Sequence, residues 1–216
     1  MVVQARAVAT RQRILDAAID VFAEKGYGDS GLADVLERAD VSKGAFYYHF
    51  ESKESLAESI IAAFDERLSQ AVDDAFDPLS PSLEGIVRAT FAVQTLMRDD
   101  RTTRVGQLLA QALGQVSDAG AGVYRRWTER FVDMVAKVIH SGELREDVDP
   151  DDVAEAIWAA VLGSHLVSAA VGDDCYTRLV RMWRVLLRSA LRDGSTRSAG
   201  DMLERVAQDY RSAAPA

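Results

Sequence analysis

Seven consecutive residues, Lys43-Gly44-Ala45-Phe46-Tyr47-Tyr48-His49, set a lysine, two tyrosines and a histidine close together, directly after Ser42 and shortly before Lys53. No acid stands between Val41 and Phe50, so the charge of this set is positive. Its chemistry is the holding of an anion. A helix starting at Lys43 leaves free N–H groups at its first turn, and these together with Lys43 can grip a phosphate. Gly44 allows the backbone to come close to that phosphate. Tyr47 and Tyr48 each offer an edge that packs and a hydroxyl that reaches a phosphate or a base edge. The competing interpretation is that Tyr48 and His49 merely cap a small core.

No other cluster offers stronger chemistry. His49, His140 and His165 are scattered, and neither a His-Glu-x-x-His run nor a glycine-rich phosphate loop occurs. Ser164 and His165 are neighbours that point different ways on a helix. These observations disfavour an enzyme and call for no cofactor. Asp147, Asp149, Asp151 and Asp152 invite a calcium site, yet the loop glycine and the closing glutamate are missing, so helix capping accounts for them better and no metal is expected. Cys175 stands alone, which rules out an intrachain disulfide and a cysteine zinc cage and fits a reducing cytoplasm.

A net charge of −9 looks wrong for a partner made of phosphates. The positive charge is local, however. Residues 1 to 14 carry Arg6, Arg11 and Arg13 with no acid, and the segment after Val41 carries Lys43 and His49. An acidic body would repel a duplex except where those patches face it, which favours one orientation. The apolar runs read as broken by charges short of the ~20 residues of a membrane span, and residues 1 to 30 show no signal-peptide pattern. The expectation is a soluble, unexported, cytoplasmic protein.

The elements that must position these residues are all helical. Four prolines in 216 residues leave long stretches free to coil, and no strand pattern appears. Ile14, Leu15, Ala18, Val21 and Phe22 form the stripe of a helix over residues 10–25, stopped by Gly26. Ser30 suits the N-cap of a short helix over 32–39, and Ser42 that of another over 43–49, with Asp40 tolerating positive φ and Val41 plugging the core between them. Two short helices on a tight turn make a helix-turn-helix. Ser52 then suits the cap of a long helix carrying Leu56, Ile60, Phe64 and Leu68. Residues 77–82 read as a loop. Further helices are expected over 83–98, 103–113, 122–140, from Asp149-Pro150 to about 171, 176–191 and 201–210.

The run from Val41 to Phe50 followed by Ser52-Lys53-Glu54 resembles the recognition helix and fourth-helix start of the tetracycline-repressor (TetR) family. Flanking residues agree in register: Thr10 to Ala18, Phe22-Ala23-Glu24-Lys25-Gly26-Tyr27, and Leu36-Glu37-Arg38-Ala39. The resemblance covers about the first quarter of the chain. It implies an all-α protein with a DNA-binding helix-turn-helix domain at 1–52 and a ligand-binding and dimerising domain at 53–216. It implies contacts to double-stranded operator DNA from Arg6, Ser30, Ser42, Lys43, Gly44, Tyr47, Tyr48, His49 and Lys53, while Phe46 and Phe50 pack. Family members usually carry two hydroxyl residues where this chain has Ser30-Gly31, and a glycine where Asp40 stands. Gly31 removes one phosphate contact and Asp40 brings an acid near the duplex.

Residues 6–12 and Leu32 to Leu36 are more similar to the γ-butyrolactone-receptor branch than to the drug-sensing branch. Trp127, in Tyr124-Arg125-Arg126-Trp127, is similar to the tryptophan that lines the lactone pocket there, as is the Gly142-Glu143-Leu144 ending of its helix. A tryptophan on an apolar stripe is also ordinary core. A pocket lined by Phe64, Phe91, Leu108, Trp127, Phe131 and Trp158 would suit a mostly apolar effector. The helices over 151–171 and 176–191 are apolar on more than one side, which predicts a homodimer. The implied function is a transcriptional repressor released by a small molecule; the alternative is a DNA-binding regulator whose larger domain binds a protein or no ligand.

Overall fold

Long runs without proline, punctuated by a residue able to cap, decide where each helix starts and stops. The computed structural model describes residues 2–114, 117–192 and 196–213. Among the described residues the helices are α1 (Val2–Asp29), α2 (Leu32–Ala39), α3 (Lys43–His49), α4 (Lys53–Ala75), α5 (Leu83–Asp99), α6 (Arg101–Leu113), α7 (Asp118–His140), α8 (Pro150–Val171), α9 (Cys175–Ala190) and α10 (Thr196–Ala213). There is no strand among them, only an isolated antiparallel bridge between Leu144 and Leu191.

The caps explain the boundaries. Ser42 Oγ accepts the Ala45 N–H at 3.2 Å to open α3, and Ser52 and Ser55 exchange backbone-to-hydroxyl hydrogen bonds at the start of α4, each 3.1 Å. Asp149 Oδ1 accepts the Asp151 N–H at 2.9 Å ahead of Pro150, so this part of the acidic run is a helix cap. Asp100 and Asp174 cap α6 and α9 in the same way. Gly26 leaves helical geometry at φ 76°, the stop expected there, but α1 begins at Val2, eight residues before Thr10 where the apolar stripe starts. Ser30 is not the cap of α2. Gly31 holds that position, its N–H donating to Asp34 Oδ2 at 2.7 Å, while the Ser30 hydroxyl turns back to donate to the Tyr27 carbonyl at 2.9 Å.

Two compact units result. One comprises residues 1–66 with 100–123, the other 67–99 with 124–216. In the first, Ile14, Ala18, Phe22, Val35, Phe46 and Phe50 are buried and join α1, α2 and α3 around one core. Helix α6 belongs to this unit because it packs on α1, where Arg101 pairs with Asp20. Gly106 on α6 meets Phe64 so closely that a Cβ there would lie 2.3 Å from Phe64 Cβ. That close approach is what the glycine permits.

In the second unit α5 is buried along its length, with α8, α9 and α10 packed about it. Helix α8 departs from the expectation that no apolar run is long enough to span a bilayer: its 22 residues pass that test by length and composition. Its Ala154, Ile157, Trp158, Val161, Ser164 and Ser168 are buried within the unit, and 33% of that apolar stretch is buried in all. Leu166, Val167 and Val171 on α8 and Val185 on α9 remain exposed. Cys175 is buried, and burial pushes its thiol pKa up, which keeps it protonated and unreactive.

Candidate functional site

Helix α3 is held as a rigid presenter. Phe46 is fully buried, with Tyr47 edge-on to its ring at 5.4 Å and Phe50 beside it at 5.8 Å. With that face anchored, Tyr48 stands 78% exposed and Tyr47 49% exposed, next to exposed Ser42, Lys43 and Gly44. Lys43 Nζ lies 5.9 Å from the Tyr47 ring centre, and the Tyr48 ring is edge-on to His49 at 4.9 Å. A Cβ on Gly44 would meet only Ser42 Oγ, at 4.0 Å, so the first turn is open to an incoming group. Five polar or cationic groups are thus brought onto the start and outer face of one short helix.

The turn before α3 relies on a strained residue. Asp40 sits at φ 50°, ψ 55°, its N–H donating to the Glu37 carbonyl at 3.2 Å, and Val41 N–H donates to Leu36 O at 3.2 Å. This is the left-handed conformation in which a glycine costs least, and aspartate is among the few other residues that tolerate it. Val41 is half-buried and Asp40 is exposed. Helix α2 is fixed to α1 by charge: the Arg38 guanidinium donates to both Glu24 carboxylate oxygens, at 3.0 and 2.7 Å, and Lys25 pairs with Asp34 at 2.6 Å. These partners hold the Glu24 and Asp34 carboxyls below the usual carboxylate range.

Three of the expected contact residues are placed differently from the rest. Arg6 is exposed on the first turns of α1, away in sequence from the α3 set. Ser30 is 5% exposed with its hydroxyl committed to Tyr27, so its side chain is structural. Lys53 donates to the Tyr27 and Ser30 carbonyls at 2.5 and 2.6 Å, with its ammonium 4.1 Å from the Tyr27 ring centre. Burial lowers the Lys53 pKa. Its first task is to satisfy carbonyls left where α1 leaves helical geometry, which sequence spacing alone did not reveal.

The aromatic residues expected in a pocket fall into separate groups. Trp127, Phe131 and Trp158 form one stack, with ring centres 5.8 Å apart for Trp127–Trp158, 5.9 Å for Phe131–Trp158 and 6.3 Å for Trp127–Phe131. Phe91 is not in it. Its ring lies against Tyr176 and Tyr210, at 5.5 and 5.6 Å, because α5 turns that face toward α9 and α10. Phe64 is buried in the other unit against Gly106, and Leu108 is 54% exposed on α6, so Leu108 does not line an enclosed space. Sequence reading missed Arg130, whose guanidinium carbon lies 5.2 Å from the Trp127 ring centre while Nη2 reaches Asp73 at 2.5 Å. The spacing Trp127 to Arg130, one helical turn, was the available signal.

The Trp158 Nε1 is buried without a hydrogen-bond partner. Leaving such a donor unmet costs about 1–3 kcal/mol. The Trp183 indole shows the ordinary solution, donating to Thr90 Oγ1 at 2.9 Å.

Comparison with known proteins matches this arrangement over most of the chain. Residues 14–60 match the model of the bacterial regulatory proteins of the tetR family, and residues 106–183 match a tetracyclin repressor-like C-terminal domain. The A-factor receptor protein of Streptomyces griseus is 33% identical over 197 residues, covering 90% of this chain and 68% of that protein. The transcriptional regulator AcuR of Cereibacter sphaeroides is 31% identical over 166 residues, 72% of this chain and 74% of that one. Among solved structures, a γ-butyrolactone receptor described as ArpA-like superposes with a TM-score of 0.77 at 27% identity, over 94% of this chain and 99% of that chain. CprB of Streptomyces coelicolor, solved in complex with its operator sequence, gives 0.75 at 29% identity over 94% and 99%. With a buried Phe46 presenting an open, cationic α3 and with both family models matched, the chain belongs to the TetR family of DNA-binding bacterial transcriptional regulators.

Proposed function

We propose that the protein is a cytoplasmic repressor that holds a pseudopalindromic operator as a homodimer and is released by a small, mostly apolar effector of the γ-butyrolactone kind. The observation that carries the DNA reading is the exposed Tyr47–Tyr48 face of α3 beside Lys43 and an uncrowded Gly44. Residues 1–52 act as the DNA-binding domain, with Ser42, Lys43, Gly44, Tyr47, Tyr48 and His49 at the duplex and Arg6 adding charge. Lys53 supports the motif from behind. Residues 53–216 sense and dimerise, and the open apolar residues on α8 and α9, Leu166, Val167, Val171 and Val185, face the second copy. Two-fold symmetry then sets paired α3 helices about 34 Å apart or somewhat more.

The effector site is built around Trp127, Phe131 and Trp158, whose rings supply an apolar lining. Similarity to the γ-butyrolactone receptor and the A-factor receptor protein supports a lactone-like ligand. A coupling of ~1–3 kcal/mol between effector and operator is enough to switch occupancy. The test is retardation of DNA from upstream of the protein's own gene, with random duplex as competitor and organic extracts of culture medium added. Specific binding abolished by an extract is the expected result. Specific binding that no extract or γ-butyrolactone relieves would instead favour a regulator whose larger domain binds a protein.

A further inference from the structure

Within the second unit a cleft of about 590 Å³ opens between the start of α5, the α7–α8 connection, the end of α9 and the first half of α10. Its lining shares no residue with the Trp127 stack or with α3. The volume is that of a small-molecule site. Leu83, Leu191, Ala199 and Met202 line it while each is at most 9% exposed, so the floor is apolar and firmly packed. The α7–α8 wall is pinned to the end of α9: the Arg145 N–H donates to the Ala190 carbonyl at 2.9 Å, Arg192 Nε donates to Leu144 O at 3.3 Å, and Arg192 pairs with Glu146 at 2.8 Å. The cleft is therefore built before anything enters it.

The charges at its rim are uneven. Arg205 and Arg88 both pair with Glu84, at 2.6 and 2.9 Å, and Arg88 also pairs with Asp209 at 2.9 Å, so two cations match two carboxylates. Glu143 stands outside that set. Its Oε1 accepts the Leu83 N–H at 3.2 Å, yet among the described residues it forms no ion pair. A carboxylate unmatched beside an apolar floor attracts a cation and repels an anion.

We infer that this cleft is a second small-molecule site, separate from the effector site proposed above, which takes an organic ammonium ion carrying a compact apolar body. The ammonium meets Glu143 and the body lies on Leu83, Leu191 and Met202. A carboxylate accepts several hydrogen bonds, so the Leu83–Glu143 bond persists when the ligand arrives. A carboxylic acid of the same shape would set its charge against Glu143. Arg205 offers it little, because Glu84 already faces that guanidinium. A neutral alcohol would lose the charge-assisted part of the contact, which makes such bonds about twice as strong as neutral ones.

The test titrates the ¹⁵N-labelled full-length protein with phenethylamine, phenethyl alcohol and hydrocinnamate in turn, followed by amide NMR and calorimetry, alongside Glu143→Gln and Ser198→Trp. Glutamine keeps an oxygen for the Leu83 N–H and removes the charge. Tryptophan at exposed Ser198 obstructs the rim from outside the packed floor. The expected result is amine binding with a Kd at or below about 1 mM, with moved amide signals at Leu83, Gly142 and Ala199. Affinity should be about tenfold weaker for the alcohol and in Glu143→Gln. Hydrocinnamate should not bind, and Ser198→Trp should lose the amine. Circular dichroism shows whether each variant keeps its fold; if Glu143→Gln does not, the amine-against-anion comparison in the parent and Ser198→Trp decide. No amine binding up to about 5 mM overturns the inference. So do signals that move only around the Trp127 stack, equal affinity for the anion, or unchanged affinity in a folded Glu143→Gln.

Discussion

Arg130 and Asp73 are joined at 2.5 Å between α7 and the last turns of α4, and the same guanidinium lies 5.2 Å from the Trp127 ring centre. Helix α4 is continuous from Lys53 to Ala75, starting just after the α3 face. One side chain therefore touches both a ring of the proposed effector site and the helix that leads back to the proposed DNA face. If Trp127 belongs to the effector site, this pair is expected to take part in the response to ligand.

Breaking this pair should uncouple more than it destabilises. The Asp73 and Arg130 side chains are 65% and 30% exposed, so solvent screening limits the pair to about 0–1 kcal/mol of stability. Asp73→Asn is expected to lower the melting temperature by no more than about 2–4 °C. The same variant should bind promoter DNA nearly as well as the parent but need more effector to let go. Calorimetry and effector titrations of the DNA complex check the two parts.

Gly106→Ala is expected to destabilise. Alanine gains up to about 1 kcal/mol of helix propensity over glycine. Against that, its Cβ would lie 2.3 Å from Phe64 Cβ and 3.2 Å from the Ile60 carbonyl, both close to buried backbone that cannot swing aside. Overpacking of this kind costs about 1–3 kcal/mol, and at so short a distance the upper end applies. Urea unfolding should show a lower midpoint with an unchanged slope.

Asp40→Gly should raise operator affinity. The left-handed φ of 50° is freely adopted by glycine, and the exposed carboxylate next to the turn into α3 is removed. Stability should change little, because relief of strain is offset by the extra freedom of glycine in the unfolded chain. Anisotropy titrations at fixed salt give the comparison, with tighter binding in the variant expected.

Lys53→Ala should reveal a mixed role. Its ammonium donates to the Tyr27 and Ser30 carbonyls, and charge-assisted bonds of this sort contribute about 1.5–3 kcal/mol when well buried, less at this half-buried site. The variant is expected to melt earlier and also to bind DNA less well, whereas a purely phosphate-contacting lysine would change binding alone. Thermal melts and DNA titrations on the same samples separate the two.

The local signals were legible because they are covalently local. Ser42 as the cap of α3, Asp40 in the left-handed turn, Asp149-Pro150 opening α8 and Gly26 ending the helical run are each set by neighbours within a few residues. What could not be read depends on contacts far apart in sequence. Ser30 has the chemistry of a cap, but Lys53 draws the loop carbonyls inward and Asp34 takes over the Gly31 N–H. Phe91 and Trp127 both read as apolar stripe residues, and only the packing of α9 and α10 sends Phe91 to the tyrosines. The packing of α6 on α1, which brings residues 100–123 into the first compact unit, likewise joins residues far apart in sequence.

The most direct test is the salt dependence of binding to promoter DNA by the parent, Lys43→Ala and Tyr48→Ala. Both side chains are exposed on α3, so neither change should alter the helical content or the dimer. The account predicts weaker specific binding in both variants, with the slope of affinity against salt reduced by about one phosphate contact per half-site in Lys43→Ala. Unchanged affinity and slope in both would contradict the assignment of α3 as the surface that meets the operator.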